Sequence, residues 1–378
     1  MWRRLCLLIT VIIILAAGTS AIPARVHAQA SVSAQAWTPY AITVYRSPDR
    51  SDHIVGVLAP ETGVQLEGRT SDTAWVLTHS LDGIVRGWVD SGYLEYAPDI
   101  DITGLPISDE EMFVPLPFAP GRYRNIDLST YPVVPTDLGQ ARAIFESGQQ
   151  QNRKPTVVSK IGDCLTDNQY FLSPFGWHEY NLGNFVQLQE VISHFSLSLS
   201  YDSLAAYDGL VTTAVLDPAF ANPMACLPGE SPLRCEYRIR QPSVAVIMFG
   251  AQDLLFTSPA DFDRSLRRIV HETIQAGVIP ILSTFPGNVR LWDESVEYNQ
   301  IVVLVALDYN VPLINLWRAL EPLPNHGLNT DGRHLSLPVT TGGDLTGDNL
   351  RQGYPLRNLV TLQTLDALWR TAMQQPGA

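Results

Sequence analysis

The chain has 378 residues, 46% hydrophobic and 17% charged, which is too long for one ordinary domain and too apolar for a disordered chain. A formal charge of −13 leaves no broad basic surface, which argues against nucleic acid and acidic lipid as partners. The 27 prolines, 26 glycines and two lysines, Lys154 and Lys160, fit an exported, loop-rich protein.

Residues 1–30 carry the three parts of a secretory signal: Arg3 and Arg4, an apolar run over 5–17, and a small-residue exit at Ala28-Gln29-Ala30. The run is shorter than the roughly 20 residues of a membrane span, so cleavage before Ser31 is expected, with an uncleaved anchor as the alternative. Loss of Arg3, Arg4 and Arg25 takes the formal charge from −13 to −16. Export to an oxidising compartment makes the remaining cysteines, Cys164, Cys226 and Cys235, potential disulfide partners. Cys226 and Cys235 bracket a turn-rich segment and are expected to pair locally. Cys164 is then left over, and needs a partner or a purpose.

Over 38–96 short strands alternate with turns: Ile42-Thr43-Val44-Tyr45, Val55-Gly56-Val57-Leu58, Val64-Gln65-Leu66, Trp75-Val76-Leu77 and Gly87-Trp88-Val89. This reads as a small all-β barrel. Together with Arg46-Ser47-Pro48 and Tyr93-Leu94, these segments resemble a bacterial SH3-type domain, a resemblance that implies binding of cell-wall peptide or glycan. A barrel this small fills its own interior, so Trp75 and Trp88 are assigned to packing before ligand contact. Residues 97–153, rich in Pro, Asp and Gly with one helix over 138–147, read as a linker that partly wraps the next domain.

From 154 to 378 the period becomes strand, loop, helix, repeated. Strands are expected over 157–161, 244–249, 279–284 and 311–316. Helices are expected around Phe185, Leu188, Ile192 and Phe195, around Phe262, Leu266, Ile269 and Val270, and over 296–307 and 356–373. The stretch before Val244 has no clear period. Buried apolar strands alternating with helices imply a parallel sheet covered on both faces, with active residues on loops at the strands' carboxyl ends.

Three segments fall at such ends. Gly162-Asp163-Cys164 leaves the first strand through a glycine turn, and Gly250-Ala251-Gln252-Asp253 follows the apolar strand. Asp331-Gly332-Arg333-His334 sets a carboxylate where it can orient an imidazole. His326 has only Leu323 at the matching offset. With Gly209 in Tyr207-Asp208-Gly209, the segments in this order resemble the SGNH (GDSL-type) hydrolases over about 200 residues. The resemblance implies a flavodoxin-like three-layer α/β fold, ester hydrolysis without metal or organic cofactor, and acyl or acetyl esters of a glycan or lipid as substrate. It makes Cys164 the nucleophile, His334 the general base and Asp331 its orienter. The Cys164 and Gly209 amides and the Gln252 side chain become the oxyanion hole.

Two residues depart from that family. Cysteine stands where it has serine, and glutamine where it has asparagine. A thiol beside an imidazole can attack an acyl carbonyl, so chemistry is retained in principle, while both changes are equally compatible with a site that binds without turnover. Cys164 reads alternatively as a small buried residue or a disulfide partner, His334 as a surface-loop histidine, and Gln252 as a cap on the following segment. Asp163 is assigned to holding the turn. Trp177-His178-Glu179 is assigned to a polar loop, and Tyr170, Phe171, Trp292 and Trp317 to the core. No metal-ligand spacing or phosphate loop is found. The expected protein is a secreted or extracytoplasmic, envelope-associated esterase acting through Cys164, His334 and Asp331. The alternatives are acyl transfer to a sugar, and a non-catalytic envelope glycan- or peptide-binding protein.

Overall fold

A computed structural model describes residues 34–374. The expected signal at 1–30 lies outside the described residues.

Seven short strands near the N-terminus follow from two-residue periodicity. They are β1 (Ala36–Trp37), β2 (Ile42–Tyr45), β3 (Ile54–Leu58), β4 (Gly63–Arg69), β5 (Trp75–Ser80), β6 (Arg86–Asp90) and β7 (Glu95–Tyr96). They form one antiparallel sheet in the order β3-β2-β6-β5-β4-β1-β7. In β4 alternate side chains turn inward, and Val64 and Leu66 join Ile42, Val44, Leu58, Val76 and Val89 in a core. Trp88 is fully buried with Leu77 and Met112, and its indole donates to Glu110 O at 2.7 Å. Trp75 stands edge-on to Tyr45.

The chain after β7 first adheres to this sheet, through Met112 N to Arg46 O and Ser108 N to Arg69 O, and then crosses to the rest of the molecule. Tyr123 donates to Glu297, and Asn315 donates to Leu128 O and Tyr131 O. The helix expected over 138–147 runs instead over Ala141–Gln150. Gly139 sets the delay: it has a φ of +55°, and a Cβ there would lie 2.0 Å from Asn310 O, so the chain must turn tightly before the helix can start.

The second sheet is parallel, with β8 (Lys154–Gly162), β10 (Pro242–Met248), β11 (Ile279–Ser283) and β12 (Leu313–Ile314) in the order β12-β11-β10-β8. A separate pair joins β9 (Tyr180–Asn181) to β13 (Gly343–Asp344). Every residue of β10 and β11 is buried, as expected for apolar strands covered on both faces. On its free side β8 makes one further parallel bridge, Gly162 to Ala206. The neighbour of β8 on that side is therefore a single bridging residue. The chain goes to one side of β8 for Ala206 and to the other for β10, so a topological switch point falls at the end of β8, where crevices form in such sheets.

The helix Gln189–Leu199 packs on β8 and on the C-terminal helix Gly353–Leu368, while Pro259–Gln275 and Trp292–Asp308 pack on each other and on β11. Right-handed crossovers place these two pairs on opposite faces. The helix Pro232–Arg240 arises in the stretch without a clear period. Ser231 caps it, accepting from Arg234 N, and Pro232 occupies its first turn. Cys226 and Cys235 form a disulfide and Cys164 is a free thiol.

Candidate active site

The turn after β8 is set by close approach. A Cβ on Gly162 would lie 2.3 Å from Met248 O and 2.5 Å from Thr166 Oγ1, so only glycine lets the two strand ends and the next turn meet. Asp163 then faces inward, with no exposed surface. Its carboxylate accepts from Leu165 N at 3.0 Å and its carbonyl from Thr166 N and Asp167 N. Burial pushes this carboxyl up to about 7, against the Leu165 hydrogen bond and with the help of the nearby Asp253. The Gln252 backbone N–H draws it down from nearby, but Oδ2 has no hydrogen-bond partner. Asp163 thus holds the turn from within, as its position in the sequence suggests.

Cys164 and His334, 170 positions apart, come together at this edge, with Sγ 3.5 Å from Nε2. His334 Nδ1 lies 2.7 Å from Asp331 Oδ2. The other Asp331 oxygen accepts from Arg333 N and His334 N, both at 3.0 Å. Burial works against the Asp331 anion, but those two amides and the imidazole outweigh it and hold the carboxyl at about 2. The aspartate thus stays ionised and fixes the ring with Nδ1 as donor and Nε2 toward the sulfur. The loop is braced from the segment after β11: Val289 N donates to Gly332 O, and Gly332, at φ +74°, leaves room for the Val289 side chain. The Cys164 thiol is half-buried. Burial, with the Asp163 charge beside it, pushes it up to about 11, while the Gln252 amide works the other way.

Gln252 occupies the N-cap position of the short helix Asp253–Phe256 but caps nothing. Its side-chain Nε2 donates to Cys164 Sγ at 3.5 Å. Gly250, at φ +124°, lets the chain pass the Phe285 ring. Asp253 was not singled out in the sequence. Fully buried, it accepts from Thr212 N (2.9 Å), Thr212 Oγ1 (2.6 Å) and Gly250 N (3.2 Å), tying the loop after Gly209 to the end of β10. Gly209 is exposed, with φ +81°. Among the described residues neither its amide nor that of Cys164 has a hydrogen-bond acceptor.

Residues assigned elsewhere stay out of this group. Trp292 packs at a tilt on Trp317 and on His326, with ring centroids 4.7 and 4.9 Å apart. Phe171 is fully buried, while Trp177 is 48% exposed. A cavity of about 1080 Å³ lies between the first sheet and the helices Pro232–Arg240 and Pro259–Gln275. No triad residue lines it, and its charges are paired, Arg86 with Glu67 and Glu110, and Arg234 with Glu272. Cys226, Glu230 and Cys235 are grouped closely enough for a metal, but the disulfide removes both thiolates.

Structures similar to this chain over about 55% of its length are GDSL-type esterases and lipases. They include a psychrotrophic esterase from Pseudoalteromonas (13% identity, 57% of this chain and 100% of the other, TM-score 0.38). An acetylxylan esterase from Geobacillus stearothermophilus (16% identity, 55% and 93%, TM-score 0.37) and a GDSL-like lipase from Bacteroides thetaiotaomicron (11% identity, 64% and 99%, TM-score 0.36) are others. Likenesses this distant carry no argument of their own. No protein-family model and no curated protein matches the sequence.

Proposed function

We propose that this protein is an exported hydrolase of acyl or acetyl esters, acting through Cys164, His334 and Asp331 on a cell-envelope or extracellular glycan or lipid. The observation that carries the reading is the unbroken contact chain from sulfur to imidazole to carboxylate. The thiol's upward shift means that it is protonated at neutral pH, so His334 Nε2 takes the S–H proton as sulfur attacks the acyl carbon. The oxyanion formed is met by the free amides of Cys164 and Gly209 and by the Gln252 amide. On collapse the C–O bond to the leaving alcohol breaks and His334 returns the proton to that oxygen, leaving a thioester. Water, deprotonated by His334, then cleaves the thioester, releasing the acid and restoring the thiol. In this reading the domains fall at 38–96 and 154–378, joined by 97–153. The first is an SH3-like barrel that holds the envelope polymer near the site.

The test uses the chain from Ser31 onward, assayed against short- and long-chain acyl esters and acetylated glycans. Activity that His334→Ala abolishes supports the proposal. One observation favours a second reading: the Gln252 amide is turned onto the sulfur. If the wild type is silent on every ester and Cys164→Ser gains turnover, the cysteine disables the site and a glycan- or peptide-binding role replaces hydrolysis.

A further inference from the structure

The C-terminal helix sends one arginine into the floor of this site. Arg357 is 1% exposed, and no carboxylate lies within ion-pairing distance of it among the described residues. Its Nη1 donates to Leu165 O at 2.6 Å and its Nη2 to Thr166 Oγ1 at 3.0 Å, while the guanidinium lies 3.6 Å from the centroid of the Phe171 ring. A buried, unpaired guanidinium is expensive, and burial draws this one down to about 10. Both hydrogen bonds go to the two residues directly after Cys164. Thr166 is also the residue against which Gly162 is pressed, so the arginine reaches both sides of the nucleophile turn.

Building on the reading of Cys164 as nucleophile, we infer that Arg357 is a positioning residue, clamping residues 165 and 166 from below and supplying the fixed positive charge under the sulfur. The clamp holds the carbonyl of 165 inward, within the turn whose Asp163 carbonyl, in the same peptide as the Cys164 amide, accepts from Thr166 N and Asp167 N. The charge acts among a defined set of neighbours. From the turn comes Asp163, from the loop just after the bridging residue Ala206 comes Asp208, and from the end of β10 Gln252. The histidine loop brings Asp331, Arg333 and His334, and the C-terminal helix brings Tyr354 and Arg357 itself. The acids and the tyrosine oppose a negative sulfur. Arg357 is the buried cation in the set, and Arg333 is exposed.

The test is the rate of Cys164 alkylation by iodoacetamide at pH 8.5, with the disulfide intact, for wild type, Arg357→Met, Arg357→Lys and Thr166→Val. Removing a buried charge near a thiol raises its pKa by about half to one unit, so Arg357→Met should alkylate roughly 3- to 10-fold more slowly. Arg357→Lys should stay within about twofold, because the charge remains. A purely structural arginine predicts the opposite sign: loosening the turn exposes the sulfur and speeds alkylation. Unchanged or faster alkylation in a folded Arg357→Met overturns the inference. Should that variant not fold, the judgement passes to the other two. Arg357→Lys near wild type with Thr166→Val also near wild type in alkylation, but several-fold lower in ester turnover, supports the clamp. Faster alkylation in either refutes it. Alkylation of wild type, Arg357→Met and Arg357→Lys needs no substrate, so a wild type without esterase activity would defeat the hydrolase reading and leave those comparisons intact.

Discussion

Replacing Asp163 by asparagine should flatten the pH dependence of stability between pH 5 and pH 8. The carboxyl is fully buried and raised from 3.8 to about 7, chiefly by burial. Between those values the folded protein keeps a proton that the unfolded chain has released, so stability falls as pH rises through the window and is lowest above pH 7. A shift of about three units corresponds to roughly 4 kcal/mol above pH 7, of which roughly 2.5 kcal/mol develops between pH 5 and 8. Asparagine keeps the acceptor for Leu165 N but puts an amide where Oδ2 has no partner, at a cost of about 1–3 kcal/mol at every pH. The variant is therefore expected to gain roughly 2.5 kcal/mol on wild type between pH 5 and pH 8 and to be the more stable of the two at pH 8. Urea unfolding at half-unit steps checks it. Asp253, raised to about 6, adds a falling slope and the half-buried His194, drawn down by burial, an opposing one, so the difference between the two proteins is the diagnostic quantity. Parallel curves for the two proteins would refute the assignment of a buried, proton-holding Asp163.

Asp331→Asn removes a charge-assisted bond of 2.7 Å from a partly exposed pair, about 1.5–3 kcal/mol, so kcat/KM on a responsive ester should fall roughly 10- to 100-fold with little change in thermal midpoint. Gly250→Ala places a Cβ 2.1 Å from Phe285 Cε1, on a ring whose backbone is pinned by Asn299; a loss of about 3–5 kcal/mol in urea unfolding is expected. Cys226→Ser combined with Cys235→Ala opens a loop of nine-residue separation, and should cost roughly 2–3 kcal/mol while leaving Cys164 alkylation unchanged.

Much of the architecture is written in periodicity. The strands over 42–89 and the apolar runs at β10 and β11 announce themselves because alternation and unbroken burial are properties of single segments. Element ends are less legible where a distant group decides them. Gly139 postpones a helix because Asn310 is there, and β12 keeps only Leu313–Ile314 of the six residues expected. Pro232–Arg240 hides because its buried face includes Glu236, whose carboxylate accepts from Ser159 Oγ and Leu204 N; a buried acid breaks the apolar pattern that would have marked the helix. At the site, Cys164, His334 and Asp331 stand out through local spacing. Arg357 does not, because an arginine on a terminal helix reads as a solvent-facing residue until the fold turns it inward.

The surroundings of Cys164 also decide what kind of cysteine it is. Activated thiols lie near positive charge and ionise below the ordinary range, forming a resident thiolate beside a protonated imidazole. Here burial dominates and the adjacent Asp163 adds to it, so the sulfur goes up to about 11. At pH 7 the thiolate fraction is on the order of one in ten thousand, and the group behaves like a hydroxyl that needs a base at the moment of attack. That is why an ionised Asp331 matters in the proposed mechanism: an imidazole taking up the S–H proton is stabilised by a fixed anion on its far side. Iodoacetamide labelling should accordingly rise tenfold per pH unit from pH 7 to pH 9 without levelling. A plateau beginning below pH 8 would mean a resident thiolate, and the general-base role of His334 would have to be abandoned.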